Sequence, residues 1–175
     1  MREFKYDVIR CPSGSAGVVE YDGCIVKVLL LDSGDEPEAA LLKLLKKGTA
    51  LRKGKLEGQV YEWFRAYMRR VLPVPYPLKL EADGTKFQQK VWERTLKIPF
   101  GEVLTYGQLA AEIGCASAQA VGQALGRNPI PIIIPCHRVI AAGMKLGGFT
   151  GGTHLKIKLL EHEGWALNNG VLSMR

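Results

Sequence analysis

Pro135-Cys136-His137-Arg138-Val139 places a nucleophile directly beside a base and a cation. A free thiol has a pKa of about 8.5, so only a few per cent of it is thiolate at neutral pH. Histidine and arginine next to Cys136 are expected to raise that fraction, and the chemistry this permits is attack by sulfur on an electrophilic carbon. A Cys-His dipeptide equally suits a buried structural cysteine beside a surface histidine, so the pair alone does not assign a reaction. Cys11, Cys24 and Cys115 have no activating neighbours and read as packing residues. His154 and His162 fall within a helical pattern and read as surface groups. No C-x-x-C pair occurs, and the histidines show no zinc spacing with the cysteines, so no metal site is expected.

A second motif lies upstream. Gln108-Leu109-Ala110, Ile113-Gly114, Val121 and Leu125 follow the spacing of a helix-turn-helix. The small alanine lets two helices cross closely, the glycine permits the tight turn, and the spaced Ile, Val and Leu fill the shared core. The second helix carries no charge before Arg127, so it approaches a groove closely but has few groups for reading base edges. A helical hairpin with no DNA role has the same pattern. Other candidates fail on spacing. Gly48 to Gly54-Lys55 resembles a phosphate loop, but five residues separate the glycines and Leu56 stands where Ser or Thr is needed. Arg52, Lys53 and Lys55 read as a solvated loop, and Asp35, Glu36 and Glu38 as charges at a helix start.

The elements that must position these residues follow from periodicity and turn chemistry. Residues 16–21 and 24–31 are strand-like runs around the Asp22-Gly23 turn. Residues 37–47 and 58–71 read as helices, the first with Leu41, Leu42, Leu44 and Leu45 and the second with Val60, Phe64, Tyr67 and Met68. Pro73, Pro75 and Pro77 then alternate with apolar residues, which requires an extended chain. Beyond Asp83-Gly84 the chain is mostly helical. Helices are expected at 85–97 with Phe87, Val91, Trp92 and Leu96 on one side, at 106–113, at 118–125 and at 153–163 with Leu155, Leu159 and Leu160 inward, capped by Thr85, Thr105 and Ser117. Ile132-Ile133-Ile134 reads as a short buried strand, and residues 147–152, four of the six glycine, as a loop. The expected domains are residues 1–80 and 85–168.

Composition agrees with a folded protein of this size. The chain has 175 residues, of which 47% are hydrophobic and 23% charged. No apolar run approaches the roughly 18 residues of a membrane helix, and residues 1–10 lack the apolar centre of a secretory signal. A reduced, cytoplasmic protein is expected. The net charge of +7 favours a polyanionic partner. Residues 1–84 hold 14 basic and 12 acidic side chains and residues 85–175 hold 10 and 5, so the second half is the expected binder.

Ile133-Ile134-Pro135-Cys136-His137-Arg138-Val139-Ile140 resembles the active-site signature of the O6-alkylguanine-DNA alkyltransferases. The resemblance continues through Gly101-Glu102-Val103, Thr105-Tyr106-Gly107-Gln108-Leu109-Ala110, Ala120-Val121-Gly122, Asn128-Pro129 and His162-Glu163-Gly164. It covers residues 87–164. It implies an N-terminal α/β domain with a small antiparallel sheet and a helical C-terminal domain with a winged helix-turn-helix. It also implies irreversible alkyl transfer from O6 of guanine in double-stranded DNA to Cys136, once per molecule, with no cofactor, by a monomer that needs no membrane. His137 matches the residue that acts on Cys136 through a water, and Glu163 the acid that orients this histidine. Tyr106 matches the donor to the guanine ring, and Asn128 the residue that pins the turn before the active loop. Val139 offers backbone to the base, and Arg138 falls on the same base-binding stretch. The target base must leave the helix for sulfur to reach its alkyl carbon in line. Two regions depart from the family pattern. Gln119 stands where an arginine enters the duplex, with Leu125 and Arg127 as neighbours able to wedge nearby. Phe149 and Thr150 stand where the wing carries tyrosine and serine. A noncatalytic lesion-binding relative, a helix-turn-helix transcription factor and a Cys–His hydrolase each explain only part of this set.

Overall fold

The computed structural model describes residues 3–31, 34–71 and 78–175, so the expected extended run at Pro73, Pro75 and Pro77 lies outside the described residues. The chain divides into two compact units, Met1–Ala82 and Asp83–Arg175.

The first unit is built on a four-stranded sheet. Strands β1 (Glu3–Cys11), β2 (Gly14–Tyr21) and β3 (Cys24–Leu31) form an antiparallel meander. The β2–β3 turn has Asp22 and Gly23 both at positive φ, 49° and 71°, the geometry whose twist matches the flanking strands. Helix α1 (Pro37–Leu44) then returns the chain to β4 (Ala50–Lys53), which pairs parallel with β1. The sheet order is β3-β2-β1-β4, so the sheet is mixed and not the expected antiparallel one. The residues read as a solvated loop, Arg52 and Lys53, are ladder residues opposite Lys5 and Tyr6. Leu41 is the buried residue of α1 and packs against Tyr6 and Val19, while Leu42 and Leu44 stay exposed. Gly17 allows this approach, since a Cβ there would sit 3.1 Å from the Leu41 side chain. Helix α2 (Gly58–Met68) buries Val60, Phe64 and Tyr67 at helical spacing.

The second unit is helical with short strand pairs. Helix α3 (Lys86–Leu96) starts in a capping box made by Thr85 and Gln88. It buries Val91, Trp92 and Thr95. Phe87 and Leu96, expected inside, are 37% and 41% exposed, because the packed face is centred on 91, 92 and 95. Strand β5 (Leu104–Thr105) leads directly into α4 (Tyr106–Glu112), which has its own capping box of Thr105 and Gln108. Gly114, at φ 67°, turns the chain, and Ser117 caps α5 (Ala118–Gly126) through the Ala120 N–H. The Trp92 indole N–H donates to the Ala124 carbonyl at 2.9 Å and fixes α3 on α5. Ile132-Ile133-Ile134 is buried but is not a strand. Flanked by Pro131 and Pro135, it forms a tight turn with Ile132 at φ 71°, closed by the Ile134 N–H on the Ile130 carbonyl. Strand β6 (Val139–Ile140) pairs parallel with β5. Helix α6 (Thr153–His162) turns Leu155, Lys156, Leu159 and Leu160 inward. An unexpected hairpin follows: β7 (Trp165–Asn168) and β8 (Val171–Met174), joined by Asn169-Gly170, both at positive φ. It buries Trp165 and Leu172 against Ile140 and Leu160. Among the described residues no helix is long and apolar enough to cross a membrane.

Candidate active site

The β5–β6 pairing organises the site. Register Leu104↔Val139 and Thr105↔Ile140 sets the start of α4 beside the loop that carries Cys136. Tyr106 follows β5, and a single 3-10 turn, Cys136–Arg138, precedes β6. Tyr106 and Cys136 line a cleft of about 680 Å³ shared with Gln119, Leu125, Phe149 and Thr150. Cys136 reaches the cleft while only 8% exposed.

Asn128 fixes the approach to the cysteine. Its carboxamide oxygen accepts from the Ile130 N–H at 2.9 Å. Its Nδ2 donates to the Ile134 carbonyl at 2.9 Å and to Cys136 Sγ at 3.2 Å. One side chain therefore satisfies the backbone of the 130–134 turn and orients the thiol.

Behind Cys136 lies a buried ionic cluster. His137, with no exposure, meets Glu163 Oε1 through Nε2 at 2.8 Å. Arg138 grips the same carboxylate twice, Nε to Oε2 and Nη2 to Oε1, both at 2.8 Å. Its Nη1 donates to the Ile98 carbonyl at 2.7 Å, and its guanidinium faces the Phe100 ring. The Gly101 N–H adds a further bond to Glu163 Oε2 at 3.1 Å. Arg138 was expected at the base. It is instead buried, because its planar fork matches the Glu163 carboxylate.

The electrostatics revise the expected activation. Burial pushes the Cys136 thiol above its ordinary value, and the Asn128 bond and the Lys156 charge pull back only in part. Arg138 does not serve the thiol, since its charge is engaged by Glu163. Burial likewise lowers His137 below its usual range against the pull of Glu163, so the resting imidazole is neutral. For Glu163, burial alone would raise the carboxyl, but His137 and Arg138 outweigh it and hold it far below the usual carboxylate range. The site thus rests as thiol, neutral imidazole and carboxylate, and sulfur must lose its proton to react.

The other expected residues divide. Tyr106 donates its hydroxyl to the Gly148 carbonyl at 3.2 Å. Burial, and then the charge of Cys136, raises its phenol, so it remains a donor. Gln119 is exposed on the α5 wall of the cleft. Thr150 donates to the Gly126 carbonyl at 2.8 Å, linking the glycine-rich loop to the end of α5, and Phe149 lines the cleft beside it. Leu125 lies in the cleft wall but is buried, so it does not project as a wedge. Arg127 is exposed at the α5 C-cap. Val139 bonds its N–H to the Cys136 carbonyl, and its own carbonyl accepts from Lys156 Nζ at 2.7 Å.

Lys156 itself was missed. It is fully buried, and burial draws its pKa down to about 8 against the opposing pull of Cys136. Its signal was its phase, since 155, 156, 159 and 160 share the inward face of α6. His154 is exposed, and the His162 ring meets Phe100 edge-on. Among the described residues no three His, Cys, Asp or Glu side chains converge as a metal site.

The family model for the 6-O-methylguanine DNA methyltransferase DNA-binding domain matches residues 86–165. A methylated-DNA–protein-cysteine methyltransferase of Mycobacterium leprae is 49% identical over 89 residues, 50% of this chain and 54% of that protein. The chain thus spans about half the length of that relative. One of Salmonella typhimurium is 42% identical over 120 residues, 68% of each chain. Among solved structures, Mycobacterium tuberculosis OGT in complex with DNA superposes with TM-score 0.75 at 33% identity, over 92% of both chains. The O6-methylguanine-DNA methyltransferase of Pyrococcus kodakaraensis gives 0.70 at 27% identity, over 92% of this chain and 99% of that one.

Proposed function

The chain belongs to the 6-O-methylguanine-DNA methyltransferase family, and from that premise we propose that it repairs DNA by moving an alkyl group from O6 of guanine onto its own Cys136. The observation that carries this reading is a thiol at the cleft surface backed by a buried His137–Glu163–Arg138 cluster. Glu163 accepts from His137 Nε2, which leaves Nδ1 as the basic atom of the ring. Through a water molecule Nδ1 takes the Cys136 proton, and the imidazolium so formed is stabilised by the carboxylate. The thiolate attacks the alkyl carbon in line. The S–C bond forms, the C–O6 bond breaks, and the electron pair passes to the guanine ring. Tyr106, protonated and at the cleft wall, supplies a hydrogen bond to the departing base. The thioether has no route back, so each molecule acts once. Protein incubated with excess DNA carrying labelled O6-methylguanine should take up one methyl per molecule and stop, and continued uptake would refute the reading.

In this reading α4 and α5 are a helix-turn-helix, with α5 in the groove and residues 147–152 as the wing. The basic excess of residues 85–175 meets phosphates. Tyr106→Phe removes a donor aimed at developing charge, so single-turnover transfer at saturating DNA should slow by about 100-fold with little change in affinity for undamaged duplex. An unchanged rate would remove Tyr106 from the mechanism.

In this reading Gln119, exposed on the cleft wall, fills the gap left by the extruded base. Its amide offers a donor and an acceptor but no charge and a smaller stacking surface than arginine. Gln119→Arg should strengthen binding to duplex containing O6-methylguanine by about fivefold, the worth of roughly one hydrogen bond, and speed repair there. Reaction with a free O6-alkylated guanine base, which needs no extrusion, should hardly change. An equal gain on both substrates would show that Gln119 acts elsewhere.

A further inference from the structure

Residues 98–101, between α3 and β5, wrap the outside of the buried ionic cluster. The Ile98 carbonyl accepts from Arg138 Nη1 at 2.7 Å, the Phe100 ring lies 5.7 Å from the guanidinium, and the Gly101 N–H donates to Glu163 Oε2 at 3.1 Å. The hold on this segment comes from the other side of Glu163. Trp165, 7% exposed, donates its indole N–H to the Gly101 carbonyl at 3.0 Å. Glu163 and Trp165, two residues apart, therefore grip the N–H and the carbonyl of the same glycine. The approach is close: Gly101 is at φ 77°, and a Cβ there would lie 3.3 Å from the Glu163 carbonyl oxygen. A buried indole usually finds some acceptor, so the bond alone would be ordinary packing. What sets it apart is that its acceptor also bonds the carboxylate, and that a whole element seats the ring. Trp165 begins the β7–β8 hairpin and packs with Leu172, Ile140 and Leu160. The Arg175 N–H closes the hairpin onto the Gly164 carbonyl at 2.9 Å, and Val171 bridges Lys145 ahead of the glycine-rich loop. The stretch matched by the family model ends at residue 165, so the rest of this hairpin lies beyond it.

We propose that Trp165 is a positioning residue for the proton transfer: its indole N–H holds Gly101, Gly101 holds the Glu163 carboxylate on His137, and the β7–β8 hairpin is the brace that keeps the indole in place. This rests on the alkyl-transfer reading, in which His137 takes the thiol proton. Glu163 Oε2 is held by Arg138 Nε and the Gly101 N–H, and that hold keeps Oε1 on His137 Nε2 at 2.8 Å. Without the indole the 98–101 segment is free to draw the Gly101 N–H away. The carboxylate then turns on its remaining partners, and the Nε2–H bond that leaves Nδ1 basic weakens. The hairpin thus serves the chemistry from behind, without touching the cleft.

Trp165→Phe in the full chain keeps an aromatic ring in the hairpin core and removes the N–H. NMR with ring-15N-labelled histidine reads the cluster without DNA. The His137 Nε2–H proton, shifted far downfield by its bond to Glu163, should move upfield in the variant. Single-turnover transfer from O6-methylguanine duplex at saturating DNA should slow by about tenfold, the worth of one hydrogen bond to a charged group, with affinity for undamaged duplex unchanged. A loss of stability alone would move neither the signal nor the rate of the folded protein. A folded variant with an unmoved His137 signal, or with an unchanged rate where the native protein transfers methyl, would overturn the proposal. If the variant does not fold, native-state hydrogen exchange gives the answer. The Trp165 indole N–H and the Gly101 amide should open together, with one common rate as denaturant is raised. An indole proton that exchanges while the Gly101 amide stays protected would overturn it as well. Absence of methyl transfer by the native protein, with the His137 shift intact, would instead count against the repair reading alone.

Discussion

Glu163→Ala is expected to lower the unfolding free energy by about 3–5 kcal/mol and to slow alkyl transfer by about 100-fold or more. The carboxylate is buried and satisfies His137, both forks of Arg138 and the Gly101 N–H. Its loss strands a buried guanidinium and releases the imidazole from its fixed tautomer. The pH dependence has a definite sign. The Glu163 carboxyl is held far below its unfolded value of about 4.3, so its stabilisation is present above that pH and is lost as pH falls through the lower folded value. Glu163→Gln should therefore be less stable than the native protein at neutral pH and lose less on acidification. Denaturant titrations at pH 7 and pH 3 check this, and parallel losses for both proteins would contradict it.

Cys136→Ala is expected to abolish alkyl transfer entirely while leaving affinity for O6-methylguanine duplex nearly unchanged. The substitution removes one small side chain at the cleft surface. Asn128, which loses the sulfur as a partner, keeps the Ile134 carbonyl and the Ile130 N–H, so the 130–134 turn retains its support. Labelled methyl bound to this variant would show that another residue is the acceptor. Loss of duplex binding would show that the thiol also holds the substrate.

Much of this site was legible because its parts are local. The motif at 135–139, the caps at Thr85, Thr105 and Ser117, and the inward leucines of α6 each show within a few residues of sequence. Pairings between distant segments were not. Strand β4 is four residues long, half exposed, and owes its existence to the free edge of β1. The β7–β8 hairpin has an Asn169-Gly170 turn, a strong signal, but its arms are too short to display alternation. The burial of Arg138 and the presence of Lys156 at the site are not legible in the sequence for one reason. Sequence shows the charge of a side chain, whereas whether a buried partner meets it depends on Glu163, 25 residues away for Arg138, and on the Val139 and Gly148 carbonyls for Lys156. The neighbours of Cys136 in sequence suggest an activated thiol, whereas in space the arginine is engaged by Glu163.

The identity of the acceptor is tested most directly by peptide mass spectrometry of the native protein after incubation with duplex DNA containing O6-methylguanine. One added methyl is expected, confined to the peptide that carries Cys136. Methyl on a peptide carrying Cys11, Cys24 or Cys115, or DNA restored to guanine with no methyl on the protein, would contradict it.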